Sequence, residues 1–82
     1  MANISENEVL EIVRNALEIE NEDIGLDSSP DNLEAWDSIG HLSILASLDS
    51  ALDGKAAGIA DLATADSVRK ILRVLKDNAL IG

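Results

Sequence analysis

Aliphatic residues return every three or four positions in three separate runs of this chain, and that repeat is the strongest constraint on its fold. Val9, Leu10, Val13, Ala16 and Leu17 form the first run. Ser5-Glu6-Asn7-Glu8 ahead of it is a capping-box sequence, and Ile4 is placed to staple onto Val9. A helix over about 5–19 is expected. Ile39, Leu42, Leu45, Leu48 and Leu52 form the second run, with Gly54 beyond it as a terminator. That run predicts a helix over about 38–53. Val68, Ile71, Leu72 and Leu75 form the third, with Thr64 or Asp66 as its cap and bases toward its end. It predicts a helix over about 66–77. Between the last two, Ile59 and Leu62 in an Ala-rich stretch predict one short helix near 58–63. No useful stretch alternates with period two, so strands are not expected.

The expected architecture is a single all-α domain spanning residues 1–82, with three longer helices, one short one and a long first connection. Asn21 to Asp37 is polar and holds the only proline, Pro30. Helix–helix connections usually run about 2–8 residues, so a longer one is either functional or disordered. Ile24, Leu26, Leu33 and Trp36 are spaced through it as apolar anchors, which predicts an ordered strap, loosest near Ser28 and Ser29.

Composition removes several functions. Six Lys and Arg against sixteen Asp and Glu give a net charge of −10, and Trp36 is the only aromatic residue. Neither a phosphate backbone nor stacked bases would find a platform here. Basic protein surfaces are the expected partners, and self-repulsion favours a monomer. There is no Cys, so any thiol chemistry must be added to the chain. No apolar run is long enough to span a membrane, and the acidic start is unlike a secretory leader, which makes the cytoplasm the expected compartment. Arg69, Lys70, Arg73 and Lys76 form the one basic cluster, which reads as complementing the helix dipole.

Chemistry concentrates in Leu33-Glu34-Ala35-Trp36-Asp37-Ser38-Ile39-Gly40-His41-Leu42. Here a connection ends, Asp37 can cap a helix and Ser38 stands in its first turn. Free N–H groups and the positive end of the dipole favour an anion attached there, by about 0.3–1 kcal/mol. Gly40 costs a helix about 1 kcal/mol relative to Ala, which a close approach by a partner or an arm would explain as well as a frayed end.

Trp36-Asp37-Ser38-Ile39-Gly40-His41-Leu42 resembles the attachment motif of acyl carrier proteins and the related peptidyl carriers. The order of elements and Leu62-Ala63-Thr64-Ala65 leading into Val68 extend the resemblance over nearly the whole chain. It implies an acyl-carrier-like bundle in which Ser38 carries 4′-phosphopantetheine, installed from coenzyme A by a phosphopantetheinyl transferase. The added thiol would hold acyl groups as thioesters, so the chain would be a carrier and not an enzyme. Acyl ligases, acyltransferases or ketosynthases with basic patches would dock on Asp37, Ile39, Leu42 and Asp49. Ser43 stands where many fatty-acid carriers have Glu, and Leu52 replaces a usual Phe. Those departures point to a dedicated pathway in place of the housekeeping synthase. An aminoacyl cargo is equally compatible with the motif.

Other readings stay open. A cofactor-free acidic interaction module needs only the solvated charge. An EF-hand-like loop over Asp23 to Glu34 has acids at its first, fifth, ninth and twelfth positions but Gly25 and Ser28 at its third and sixth. His41 lies one turn after Ser38, yet no third group is visible to orient it, so a surface position is expected and no metal shell can be built.

Overall fold

Helix ends, not only helix faces, are written in this chain's local hydrogen bonds. The computed structural model describes residues 4–19, 24–31 and 33–81. Among them the chain forms α1 (Glu6–Ala16), α2 (Ser38–Ala51), a 3₁₀ turn (Ala56–Gly58), α3 (Ala60–Ala63) and α4 (Val68–Asp77). The all-α expectation holds. Among the described residues the only β-type pairing is an isolated parallel bridge between Ile4 and Ile81.

The expected capping box is present: Ser5 Oγ accepts from the Glu8 N–H at 3.2 Å and the Glu8 carboxylate accepts from the Ser5 N–H at 3.4 Å. At α4 the cap is Ser67, not Thr64 or Asp66; its Oγ accepts from the Lys70 N–H at 3.1 Å. The stretch expected as one short helix divides at Ile59, whose extended backbone separates the 3₁₀ turn from α3.

α1 and α2 close before the ends of their apolar runs, at Ala16 and Ala51, whereas α4 ends at Asp77 as expected, and all three close by one device. The N–H groups of Ile19, Gly54 and Leu80 donate back to the carbonyls of Arg14, Asp49 and Leu75, which is the Schellman closure. The left-handed residue that this closure requires is Glu18, Asp53 and Ala79 in turn, with φ of 56°, 56° and 57°. Gly54 sits one place beyond the position where glycine would help most. A side chain in that region costs about 1–2 kcal/mol. Ala79→Gly is therefore expected to raise the unfolding free energy by about 0.5–1 kcal/mol after the added freedom of the unfolded chain is subtracted. Urea denaturation followed by circular dichroism reads this.

Val9 and Val13 of α1 with Leu17 just beyond it, Ile44 and Leu48 of α2 with Leu52 just beyond it, and Val68, Ile71, Leu72 and Leu75 of α4 form the core with Trp36 and Leu62. On α2 the buried line is Gly40, Ile44 and Leu48. Of the apolar run, Leu48 and Leu52 are buried, whereas Ile39 and Leu42 are 74% and 66% exposed. The helix is apolar around most of its circumference, and packing selects the four-residue ridge. Leu80 and Ile81, beyond the last helix, are also buried.

Residues 20–23 and Asn32 of the first connection lie outside the described residues. Where it is described, backbone bonds hold the strap as much as anchors do. The carbonyls of Ser28 and Leu26 accept from the N–H groups of Val68 and Arg69 at 3.0 and 3.2 Å, satisfying the free donors that open α4. Arg69 also meets Asp27 at 3.0 Å. Ser28 is buried and its Oγ accepts from the Gly25 N–H at 3.0 Å, so the segment expected to be loosest is tied to α4. Leu26, expected as an anchor, exposes its side chain and contributes its carbonyl.

Candidate functional site

The strap ends in a turn, with the Trp36 N–H bonded to the Leu33 carbonyl at 3.0 Å, which drops the indole into the core at 2% exposure. Asp37 follows in extended conformation as the N-cap of α2, and its Oδ1 accepts from the Gly40 N–H at 2.8 Å. Capping is thus done by Asp37 alone. Ser38, in the first helical position, is exposed, and its hydroxyl has no hydrogen-bond partner among the described residues. The oxygen is free, faces solvent and stands at the positive end of a 14-residue helix.

Gly40 serves the interior. It is buried, and a Cβ there would collide with the Ala35 carbonyl oxygen and lie 2.7 Å from Leu17 Cδ2. The close approach that a glycine permits is therefore between α2, the strap and the end of α1, not with a partner or an arm. Backbone cannot move aside as a flexible side chain can. Gly40→Ala is expected to lower stability by about 1–3 kcal/mol through overpacking, outweighing the roughly 1 kcal/mol gained in helix propensity. A denaturant melt checks it.

His41, expected at the surface, is half-buried and bonded at both ring nitrogens. The indole Nε1–H of Trp36 donates to His41 Nδ1 at 3.0 Å, and His41 Nε2 lies 3.1 Å from the carbonyl oxygen of Leu62 on α3. Indole can only donate, so Nδ1 must be the acceptor and Nε2 must carry the proton it gives to Leu62. The two rings lie nearly parallel, 16° apart with centroids at 6.1 Å. This chain of bonds joins strap, α2 and α3. It also commits the imidazole lone pair, so His41 has none to offer Ser38 as a base.

Ser38 opens onto a surface cleft of about 680 Å³ between α2 and the segment that follows α3. Trp36, His41, Leu42 and Leu45 line one wall; Ala63, Thr64 and Asp66 line the other. A second cleft of about 300 Å³ continues along α2 past Ala46 and Asp49, facing Ile59 and Ala60, and shares Leu45 and Ala63 with the first. With 3.6 residues per turn, Ser38, Leu42, Leu45 and Asp49 fall on one flank of α2. Among the four positions expected as partner contacts, Asp37, Ile39 and Leu42 are exposed around Ser38, while Asp49 is half-buried two turns on. The cleft's far wall and the His41 bridge were not foreseen. The bridge had a readable signal, since a buried indole N–H needs an acceptor and His41 is the nearest one in sequence.

Asp66, on the cleft rim, pairs with Lys70 at 2.7 Å. That hydrogen bond first, and the charge of Lys70 second, hold its carboxyl below the usual carboxylate range. The pair's contribution is present above the range where an unfolded Asp titrates and is lost as pH falls through the lowered folded value. Both groups are exposed, so the effect on stability is small. Lys70→Met is expected to return the Asp66 titration, followed by carboxyl NMR shifts, to the ordinary range.

Among the described residues no three His, Asp or Glu side chains converge as a metal site would require, and Asp23, first in the calcium-like loop, lies outside them. Asp27 of that loop is engaged by Arg69. No described helix is long and apolar enough to cross a membrane. Comparison with protein-family models, curated proteins and solved structures finds no match to this chain.

Proposed function

We propose that this chain is an acyl carrier protein, folded as the acyl-carrier bundle, with Ser38 bearing 4′-phosphopantetheine. One observation carries the reading: the hydroxyl of Ser38 is exposed and unbonded among the described residues at the start of α2, while Asp37 does the capping beside it. A serine kept for the helix would occupy the capping position itself. The positive helix end suits the phosphodiester that attachment creates.

In that attachment the Ser38 oxygen bonds to the β-phosphorus of coenzyme A and the phosphoanhydride bond breaks, releasing adenosine 3′,5′-bisphosphate. The Ser38 proton passes to a base of the phosphopantetheinyl transferase, because His41 is committed to Trp36 and Leu62. The attached arm supplies a thiol, which holds an acyl group as a thioester. Asp37, exposed Ile39 and Leu42, and Asp49 form the face read by basic ligases, acyltransferases or ketosynthases; charge steers the encounter and the two aliphatic side chains anchor it. Leu52, fully buried where related carriers have Phe, and Ser43 in place of Glu favour partners of a dedicated pathway.

The lack of Cys gives a direct test. Protein treated with coenzyme A and a broad-specificity transferase is expected to show one reactive thiol per chain, untreated apo-protein none, and treated Ser38→Ala none. A treated wild-type chain without a thiol would instead favour an acidic interaction module that uses Ile39 and Leu42 to bind protein.

A further inference from the structure

Asp53 and Gly54 follow the last turn of α2, and no other Asp or Asn of the chain precedes a glycine. An Asp–Gly pair is prone to attack by its own backbone nitrogen on the preceding carboxyl, because glycine puts no side chain beside that nitrogen. Both residues are exposed, and a Cβ built on Gly54 would meet nothing within 4 Å. The reacting groups are therefore open to solvent. Against this stands the closure of α2. Asp53 holds the left-handed position at φ 56°, and the Gly54 N–H donates to the Asp49 carbonyl at 2.8 Å. While that bond stands, the nitrogen keeps its proton and the backbone of Asp53 cannot turn to bring it onto the carboxyl. Glu18 and Ala79 hold the same position after α1 and α4. Neither can react in this way, since Ala79 has no carboxyl and Glu18 would have to close a larger ring.

We propose that Asp53 is a site of spontaneous isoaspartate formation and that the closing hydrogen bond of α2 is its gate. When the last turn frays, the Gly54 nitrogen bonds to Asp53 Cγ, and its proton and the carboxyl hydroxyl leave together as one water. The product is a succinimide ring. Water then adds to the main-chain carbonyl carbon of Asp53 and breaks its bond to the Gly54 nitrogen, which takes up the proton. The peptide link now runs through the former side chain, and a free carboxylate is left on Cα. Mass is unchanged, but the main chain gains one atom between Leu52 and Gly54. The Gly54 N–H is thereby carried out of register with the Asp49 carbonyl, and the closure cannot re-form. None of this depends on what Ser38 carries.

Incubation of the whole chain at neutral pH over weeks tests this. Isoaspartate is measured by methyl transfer from S-adenosylmethionine with a purified isoaspartyl methyltransferase, and its position is read by fragmentation mass spectrometry. In guanidinium chloride it is expected to accumulate at Asp53. In buffer the folded chain is expected to accumulate it there about tenfold more slowly, the effect of one retained hydrogen bond. Ala51→Gly alters an exposed position in the last turn of α2 and leaves the reacting pair untouched. It is expected to speed the reaction of the folded chain about fivefold, as the lost helix propensity would. Asp53→Glu keeps the charge and is expected to remove the signal; a signal that survived it would place the reaction at another residue. Absence of isoaspartate at Asp53 in the unfolded chain would refute the site. Equal rates with and without denaturant, or an Ala51→Gly rate no higher than that of the wild type, would refute the gate.

Discussion

Trp36→Ala is expected to remove most of the stability of this chain. Truncating a fully buried Trp typically costs about 3–5 kcal/mol, from the lost transfer free energy and the cavity left behind. Small domains hold only about 5–15 kcal/mol in total. Here a polar loss is added, because His41 Nδ1 is left without its donor and the His41 bridge to Leu62 loses one of its two supports. Trp36→Phe separates the contributions. It keeps most of the apolar volume and deletes only the N–H, so a cost of about 1–3 kcal/mol is expected from the unmatched acceptor. Unfolding monitored by circular dichroism gives both values. If Phe proves as damaging as Ala, the hydrogen bond dominates; if it is neutral, the bridge contributes nothing. The imidazole nitrogen shifts give a second check, with the proton expected on Nε2 in the wild type.

Ser38→Ala carries the largest functional effect and almost no structural one. The side chain is exposed and the cap belongs to Asp37 through its bond to the Gly40 N–H. Stability is therefore expected to stay within about 0.5 kcal/mol of wild type, while modification falls to nothing. Asp37→Ala is the reverse case. It removes the cap at a cost of about 1 kcal/mol and leaves the Ser38 hydroxyl in place. The two neighbours thus separate folding from attachment.

Local signals explain what the sequence made legible. Helix starts could be read closely where a capping residue precedes the apolar run, as at Ser5 and Asp37. The ends of α1 and α2 could not, because Glu18 and Asp53 take the left-handed position usually marked by glycine, while α4 ends at Asp77 where expected. The inward face of α2 was not marked by periodicity, because nearly every side of that helix is apolar; packing selects Gly40, Ile44 and Leu48. Gly40 itself shows the same gap. Its residue type announces a close approach, but the approaching group, the Ala35 carbonyl, is fixed by the path of the strap. The position of Ser38 at a helix start was legible from the Asp-Ser pair and the run behind it. The cleft beside it was not, since Ala63, Thr64 and Asp66 come to face α2 only through the tertiary placement of α3.

The central claim is that Ser38 is an attachment point, and intact mass addresses it most directly. Purified protein is weighed before and after incubation with coenzyme A, magnesium and a broad-specificity phosphopantetheinyl transferase, with Ser38→Ala treated alongside. The expected result is a gain of one phosphopantetheine by the wild type and none by the variant. A folded wild-type chain that starts at its unmodified mass and gains nothing would contradict the carrier reading and reduce Ser38 to an exposed residue beside a helix cap.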